Sequence, residues 1–365
     1  MSGKGLCVGD RMGEDEPMRL LQIMLARGNG GAEAFFERLA LAFARQGVSQ
    51  RLVIAENPAR AERLRAGGGE VVTVPANGWR KFLVHRAVQA QADRFQPTHA
   101  LAWMNRAAGA MPTGNFVKMA RLGGCYKLKY YQRCEHLVAN TPGIVEYLVG
   151  AGWPEEAVSL ISNFGERAGA EARSLREELG LAAEVPVLLS PGRFHEVKAQ
   201  EVAIRALAQI PEAVLLLAGE GERRAFYEEV AAEAGVSERV RFLGWRDDMA
   251  NLYATADLCV FPSRYEPLGN VVLEAWVSGT PIVAAKSDGP SWLIEEGVNG
   301  RLFEIDDSAQ LAEQVNELLA DPTQREALAK AGREKWLAAF SEEKIVAQYL
   351  ALFEKLAAQS ASKSS

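Results

Sequence analysis

Short apolar runs alternate with segments of helical period from residue 185 to about residue 285, and this alternation constrains the fold more than any other feature. Each run is rich in valine, leucine or isoleucine and ends at glycine, proline or serine, which is typical of strands buried on both faces. Strands that alternate with helices in this way predict βα units and a parallel, doubly wound sheet. The runs are VPVLLSPG, AVLLLAGEG, VRFLG, DLCVFPS and PIVAAKS.

The first half of the chain repeats this scheme less clearly. The patterns RLLQIML, SQRLVIAE, VVTVP, THALAWM and HLVAN indicate strands, and GAEAFFERLALAFARQG indicates a helix. Because 365 residues suffice for two domains, we predict an α/β protein of two facing Rossmann-like, doubly wound domains. The predicted divisions are a flexible extension (1–17), an N-terminal domain (18–165), a C-terminal domain (166–340), a helix that packs back on the N-terminal domain (341–358) and a disordered tail (359–365).

Charge is divided unevenly along the chain, whose formal net charge is −6. Residues 1–165 carry 20 Lys and Arg against 14 Asp and Glu, whereas the remainder carries 21 against 33. Either two solvated surfaces differ by chance, or the first half faces an anionic partner such as a phosphorylated substrate or a membrane surface. Nucleic acid is not predicted as a partner, because no basic helix or aromatic RNA-binding signature accompanies the charge.

The rest of the composition favours a cytoplasmic protein. The four cysteines have no paired spacing and no neighbouring histidine cluster, so we expect reduced thiols and no zinc site. No apolar run approaches the ~18 residues of a transmembrane helix. The first 17 residues carry acidic side chains and no apolar block, so we predict no signal peptide.

Two glutamates flank a predicted strand-to-helix turn in RYEPLGNVVLEAWVSG. The turn follows the strand DLCVFPS, so it lies at the sheet edge where ligands bind in doubly wound folds. The N–H groups of Leu268, Gly269 and Asn270 open the helix and can bind phosphate. Glu266 and Glu274 can accept hydrogen bonds from sugar hydroxyls on either side of it. The alternative is a helix whose first turn carries acidic residues because they suit its dipole.

A second strand-to-helix junction carries two cations, in PGRFHEVKAQ. Arg193 can bind a diphosphate as a bidentate fork and Lys198 as a point charge. An isolated pair would more commonly be surface charges, but its place on the same predicted edge as EPLGN favours one shared site. In the first half, Gly30 and Gly31 directly follow the first strand and would let a phosphate or sugar approach the backbone closely.

Taken together, these motifs resemble the retaining glycosyltransferases of family 4, which have the GT-B fold. The resemblance covers nearly the whole chain and is best over residues 185–320. The elements that carry it are E-x7-E (Glu266, Glu274), G-R-x4-K (Gly192, Arg193, Lys198), the glycine pair (Gly30, Gly31) and the pattern from Pro262 to Pro281.

The resemblance implies a nucleotide-sugar donor bound in the second domain, beside an inter-domain cleft, with no metal and no cofactor. It implies that Glu274 binds the ribose, that Glu266 binds hydroxyls of the donor sugar, and that Arg193 and Lys198 hold the diphosphate. The implied catalytic residues are Arg193, Lys198 and Glu266. The implied donor-binding residues are Gly30, Gly31, Gly192, Leu268, Gly269, Asn270 and Glu274.

The chain departs from the family pattern at two places. Many members have a histidine just past the fourth strand, near the reacting sugar, whereas LAWMNRAAG places Asn105 and Arg106 there. We take these two residues as acceptor-side candidates. The NG(V/I)D of many members is NFGE here, residues 163–166, which we expect to concern only the linker.

The stretch KMARLGGCYKLKYYQR, residues 118–133, interleaves five cations with three tyrosines. One interpretation is an amphipathic surface segment whose tyrosines cover apolar area. The other is an acceptor or membrane-interface role, because tyrosine and basic residues suit an anionic lipid headgroup. On the second interpretation, an anionic glycan or lipid-linked acceptor, or the cytoplasmic face of the membrane itself, docks on Lys127, Lys129 and Arg133, with Tyr130 and Tyr131 at the interface.

We therefore predict a hexosyltransferase-type, retaining glycosyltransferase (EC 2.4) that acts on a glycan or glycolipid acceptor. Members of the resembled family in bacteria often build lipopolysaccharide or other envelope glycans. A nucleotide-sugar epimerase on the same fold and a non-catalytic sugar-nucleotide-binding relative remain alternatives. A dinucleotide oxidoreductase is disfavoured, because GEGERR and GNGGAE both lack the third glycine of its fingerprint.

Overall fold

The computed structural model describes residues 17–28, 30–75, 81–165 and 172–364, except for the side chains of Lys81, Lys363 and Ser364. The contacts divide the described chain into two compact units. The first holds the residues up to Arg121, residues 127–137 and the chain from Phe353 onward, and the second holds residues 122–126 and 138–352. Residues 1–16 of the predicted extension and residues 166–171 near the predicted domain boundary lie outside the described residues.

The first parallel sheet has the strand order β3-β2-β1-β4-β5-β6-β7 among the described residues. Its order reverses between β1 and β4, which pair in parallel with Ile23 opposite Ala102. Both strands are almost wholly buried, as their mainly apolar sequences favour, and the buried polar residues within them are Gln22 and His99. The strands are β1 (Arg19–Met24), β2 (Ser49–Ala55), β3 (Glu70–Val74), β4 (His99–Trp103), β5 (Val117–Leu122), β6 (His136–Ala139) and β7 (Val158–Leu160).

Helices alternate with these strands, and the C-terminal helix contributes to the first unit. Phe353 packs its ring against Phe43 and His99, with centroids 5.9 and 5.5 Å apart. The Phe353 carbonyl also lies 3.0 Å from His99 Nε2. The helices are α1 (Gly31–Arg45), α2 (Pro58–Ala66), α3 (Lys81–Phe95), α4 (Met104–Ala108), α5 (Pro142–Gly150) and, at the C-terminus, α13 (Glu342–Ser364).

The second parallel sheet has the order β10-β9-β8-β11-β12-β13 among the described residues, so it reverses between β8 and β11. Apolar side chains cover both faces of this sheet. Its strands are β8 (Val187–Pro191), β9 (Val214–Ala218), β10 (Val240–Gly244), β11 (Leu258–Phe261), β12 (Ile282–Ala285) and β13 (Arg301–Phe303). The helices around it are α6 (Gln200–Leu207), α7 (Arg224–Glu233), α8 (Met249–Thr255), α9 (Asn270–Ser278), α10 (Asp288–Leu293), α11 (Ser308–Ala320) and α12 (Pro322–Ala339).

The two predicted parallel α/β sheets are confirmed, and the structure corrects the sequence interpretation at two places. The start of the basic stretch 118–133 is strand β5, and Arg121 is only 2% exposed, stacked on the rings of Phe35 and Trp103. Helix α13 continues through Ser364, so residues 359–364 are helical rather than disordered. This tail contains no glycine or proline that would end a helix, and Ala361 within it favours helix continuation.

Candidate active site

The two motifs of the second unit leave the sheet at its topological switch point. Strands β8 and β11 are neighbours, with Leu189 opposite Cys259, and each has its next partner on the other side. The loops after two such strands diverge to opposite sides of a parallel sheet and leave a crevice between them, where ligands bind. Residues 192–199 follow β8 and residues 262–269 follow β11, so both predicted motifs open onto the same crevice.

Close backbone packing shapes the loop after β8. Gly192 has a φ of +146° and donates its N–H to Ala218 O at 2.9 Å. A Cβ added at Gly219 would lie 2.0 Å from Gly192 O, and one at Gly221 would lie 2.4 Å from Phe194 O. The glycines of GEGERR are therefore required for packing of the β9 loop against the β8 loop, which explains their spacing without a dinucleotide.

A buried tyrosine and glutamine also support the β8 loop. Tyr227 donates its hydroxyl to Gln200 Oε1 at 2.9 Å, and Gln200 Nε2 donates to Gly192 O at 3.2 Å. Burial, with the charge of Glu201, raises the pKa of Tyr227 to about 12, so the hydroxyl stays protonated and remains a donor at neutral pH. Hydrogen bonds between uncharged groups therefore support the loop that carries Arg193.

An ion pair joins the two motifs. Lys198 Nζ donates to Glu266 Oε2, and the two side chains are only 19% and 17% exposed. The ammonium group also lies 5.6 Å from the ring centroid of Phe261, at the end of β11. The side chain of Arg193 is exposed and has no hydrogen-bond or ion-pair partner among the described residues, which leaves its guanidinium available to a ligand.

The turn after β11 ends in the amino terminus of α9. Gly269 adopts a φ of +82° as the residue before the helix, a conformation that favours glycine. Leu268 is buried. The backbone carbonyl of Glu266 accepts a hydrogen bond from the N–H of Gly289 at 2.8 Å. Because α9 begins at Asn270, its first N–H groups have no intrahelical acceptor and lie at the crevice.

Glu274 lies one turn further along α9 and is half-buried. Its Oε2 accepts the hydroxyl proton of Tyr253, 3.1 Å away. Burial, with the charge of Glu274, raises the pKa of Tyr253 well above its ordinary value, so this hydroxyl is a permanent donor. Tyr253 carries no motif signature, and sequence reasoning missed its contact with Glu274.

The NFGE segment contacts the same helix. Asn163 Nδ2 donates to Asn270 Oδ1 at 2.7 Å. A Cβ added at Gly165 would lie 2.8 Å from Leu273 O, so the segment packs tightly against α9. The predicted role of this segment as linker alone is incomplete, because Asn163 also fixes the side chain at the first residue of α9.

In the first unit, the structure places Arg106 beside the loop that precedes the glycine pair. Gly30 precedes α1 and Gly31 begins it. Arg106 Nη1 donates to Leu25 O at 3.0 Å, which joins the end of β4 to the end of β1 at the switch point of this sheet. Asn105 Oδ1 accepts the hydroxyl proton of Tyr131 at 2.7 Å.

A buried arginine holds the same loop from the other side. Arg60 is fully buried and donates to Ala26 O at 2.9 Å and Gly28 O at 2.6 Å, while Glu37 balances its charge. Because side chains from separate elements hold their carbonyls, residues 25–28 before α1 are fixed by tertiary contacts. Sequence reasoning found the glycines and missed Arg60.

The three basic acceptor candidates are exposed in the first unit. Lys129 Nζ lies 5.2 Å from the ring centroid of Tyr130, and Arg133 Nη1 donates to Met111 O at 3.3 Å. Tyr130 is 39% exposed, whereas Tyr131 is fully buried. Tyr131 therefore cannot lie at an interface, and its hydroxyl holds Asn105 instead.

Comparison with known proteins decides the family. The model of glycosyl transferases group 1 matches residues 171–335. LpsE of Rhizobium meliloti, a lipopolysaccharide core biosynthesis glycosyltransferase, is 38% identical in an alignment of 332 positions that covers 89% of this chain and 96% of the relative. The chain belongs to the glycosyl transferases group 1 family. It is therefore a hexosyltransferase-type glycosyltransferase of class EC 2.4, as predicted.

Other similar proteins agree with this family. LpsD of Rhizobium meliloti, also a lipopolysaccharide core biosynthesis glycosyltransferase, is 32% identical to this glycosyltransferase over 89% of the chain and 95% of LpsD. The solved structure of HepE from Anabaena in complex with UDP has a TM-score of 0.82 at 24% identity, over 93% of this chain and 100% of HepE. The predicted GT-B fold is thereby confirmed.

The described residues of this glycosyltransferase include neither a membrane-spanning helix nor a cluster of metal-ligating side chains. In the part of the chain that the structure describes, no helix is both long and apolar enough to cross a membrane. Across the same residues, no group of three or more His, Cys, Asp or Glu side chains is arranged to hold a metal ion.

Proposed function

We propose that this protein is a retaining glycosyltransferase of family 4 that moves a sugar from a nucleoside-diphosphate sugar to a glycan or lipid-linked acceptor, in lipopolysaccharide core synthesis. The observation that carries the proposal is the Lys198–Glu266 pair at the switch point of the second sheet. It places a phosphate-binding cation beside a hydroxyl-binding carboxylate at the start of α9. LpsE and LpsD, named for lipopolysaccharide core biosynthesis, support the pathway, and HepE, solved with UDP and with UDP-glucose, supports the donor class.

The proposed reaction places negative charge on the leaving diphosphate. The bond between the anomeric carbon and the β-phosphate oxygen breaks, and a bond from the same carbon to the acceptor oxygen forms on the same face. The acceptor proton passes to a phosphate oxygen. Arg193, Lys198 and the amino terminus of α9 stabilise the charge that develops, so the second unit holds the donor and neither metal nor cofactor is needed.

Release of nucleoside diphosphate tests this proposal. The protein is incubated with UDP-, GDP- and ADP-sugars and a lipopolysaccharide core acceptor, with and without EDTA. Acceptor-dependent release with retained anomeric configuration, unchanged by EDTA, is the expected result. Interconversion of two nucleotide sugars without release would indicate an epimerase, and donor binding without turnover would indicate a non-catalytic relative. Activity that EDTA abolishes and Mg²⁺ restores would contradict the metal-free site.

Glu274→Gln is expected to weaken donor binding by about tenfold while turnover at saturation changes little. The amide still accepts the Tyr253 hydroxyl proton, but a neutral acceptor binds ribose hydroxyls less strongly than a carboxylate. Interactions made equally in the ground and transition states affect KM rather than kcat. Titration calorimetry with the nucleoside diphosphate measures the change, with Glu228→Gln on the exposed face of α7 as the control. Unchanged affinity in the Glu274 variant would show that the ribose lies elsewhere.

The first unit supplies the proposed acceptor surface at the cytoplasmic face of the membrane. Lys127, Lys129 and Arg133 are exposed, and Tyr130 lies between them. Helix α3 adds two exposed apolar side chains, Phe82 and Leu83, which are 68% and 47% exposed. They lie near this surface, because His85 of the same helix contacts Arg133. Cations around exposed apolar groups suit an anionic lipid surface, to which each cation contributes ~1 kcal/mol.

Replacing Lys127, Lys129 and Arg133 together with glutamine is expected to reduce sedimentation with anionic vesicles by about tenfold or more. Release of diphosphate from the donor by water should be unchanged, because the donor residues are untouched. The matched control replaces three exposed cations of the second unit, Lys330, Arg333 and Lys344, with glutamine. If the wild type does not sediment with vesicles and the first variant keeps its acceptor KM, the surface is merely solvated.

A further inference from the structure

Arg264 joins the two loops that carry Lys198 and Glu266. Its backbone N–H donates to Val197 O at 2.9 Å, and its Nη1 donates to Glu196 O at 2.7 Å. These two carbonyls directly precede Lys198, while Glu266 follows Arg264 after a single intervening residue. One residue therefore holds the loop segments next to both members of the ion pair.

The remaining guanidinium nitrogens of Arg264 are also engaged. Nη2 donates to Glu201 Oε1 at 2.8 Å, and the Glu201 side chain is only 4% exposed. Nε donates to Asp306 Oδ1 at 2.7 Å. Burial by itself would lower the pKa of Arg264, but Glu201 and Asp306 raise it, so the group stays charged. A planar guanidinium with partners in three directions has one orientation, and that orientation fixes the two loops.

We propose that Arg264 is a positioning residue that sets the separation of Lys198 Nζ and the Glu266 carboxylate. This inference rests on the proposed function, in which Lys198 faces the leaving diphosphate and Glu266 faces the donor sugar. All three guanidinium nitrogens of Arg264 are engaged by groups of the chain, so we assign it an action through Lys198 and Glu266. Catalysis by fixed charges depends on their placement, and a displacement of about 1 Å can cost about a hundredfold in rate.

Arg264→Lys tests the proposal with the least risk to folding. The lysine keeps a positive charge beside the buried Glu201 carboxylate, which would otherwise be left without a cation. A single ammonium group cannot reproduce the fork that holds Glu196, Glu201 and Asp306 together. If this variant does not fold, Asp306→Asn removes only the negative charge of the outermost partner, and asparagine tolerates the φ of +67° at that position.

Arg176→Lys is the matched control. The Arg176 side chain likewise binds three groups, here one carboxylate and two carbonyls, with Nη2 2.7 Å from Asp257 Oδ2 and Nη1 donating to Ala182 O and Val185 O. Asp257 precedes β11, so this cluster lies at the amino edge of the same sheet, away from the crevice. The two substitutions are chemically identical, but Arg264→Lys changes the carboxyl edge of the sheet and Arg176→Lys changes its amino edge.

We expect Arg264→Lys to lower kcat by about tenfold or more while the donor KM stays within about threefold, and Arg176→Lys to change neither. The effect of Arg264→Lys on kcat should shrink strongly in a Glu266→Gln background, because the two residues act on one arrangement. The Asp306→Asn variant should lower kcat by about threefold. Unchanged kcat in Arg264→Lys, or equal losses in both backgrounds, would overturn the positioning role.

Chemical labelling of Lys198 provides a measurement that does not depend on activity. The ion pair should slow acylation of the Lys198 amine by acetic anhydride, and Arg264→Lys should raise its labelling several-fold, measured by peptide mass spectrometry. Equal labelling in wild type and variant overturns the inference even if the enzyme is active. A wild type that releases no nucleoside diphosphate defeats the proposed function, and the labelling result then decides the positioning role by itself.

Discussion

Replacing Lys198 with alanine is expected to lower turnover by roughly 10²- to 10³-fold, the usual loss for one group that stabilises a transition-state charge. Arg193→Ala should have a loss of the same order. Lys198 is largely buried beside Glu266, so water screens its charge poorly and a diphosphate bound beside it would interact with it strongly. Its removal also leaves Glu266 as an uncompensated negative charge at the proposed site of the leaving diphosphate.

The control for this prediction is Lys286→Ala, which removes a lysine that pairs with Glu304 on the exposed surface of the same unit. Exposed pairs contribute little, so this variant should keep wild-type turnover. Thermal unfolding of each variant, followed by circular dichroism, separates loss of chemistry from loss of fold. Near-wild-type turnover in both Arg193→Ala and Lys198→Ala, with a saturable donor, would show that the diphosphate binds elsewhere.

Glu266→Gln is expected to lower kcat by about tenfold to a hundredfold and, at the same time, to tighten binding of the free nucleoside diphosphate by about tenfold. In the proposed reaction the carboxylate orients the donor sugar, so its loss should lower turnover. In the unliganded protein the same carboxylate neutralises Lys198, and an incoming diphosphate must compete with it. The amide keeps the shape but removes this competing charge.

Single-turnover kinetics and titration calorimetry with the nucleoside diphosphate measure the two effects separately. Glu296→Gln, an exposed carboxylate of the same unit, serves as the control and should change neither quantity. Weaker diphosphate binding in Glu266→Gln would mean that the carboxylate does not compete for Lys198. An unchanged kcat would mean that Glu266 does not contact the donor sugar.

Local sequence patterns were sufficient for five of the six described strands of the second sheet and for the helices between those five. The predicted start of α9 near Asn270 is confirmed, and each predicted strand of that sheet is present. Buried parallel strands must be apolar along their whole length and must end in turns, so their signal lies within a few residues. Strand β13 was missed because its three residues, Arg301–Phe303, are too few for a pattern.

Strand β5 shows where local patterns mislead. Its lysine and arginine made the stretch 118–133 look like one basic surface, yet Arg121 is buried between Phe35 and Trp103. A cation can enter a core when aromatic faces surround it, and those rings come from α1 and β4. Nothing within the stretch itself distinguishes Arg121 from the exposed Lys127.

The sequence by itself determined which residues stand at strand ends, because apolar runs, glycines and charged residues mark strand-to-helix junctions within a few positions. That was enough to nominate Arg193, Lys198, Glu266 and Glu274. Only the tertiary structure decided that Lys198 pairs with Glu266 and that Arg264 holds their loops. Each of these two contacts joins residues that are 68 positions apart in the sequence. Contacts between residues so far apart in the sequence arise from the order of the strands in the sheet, which no local pattern encodes.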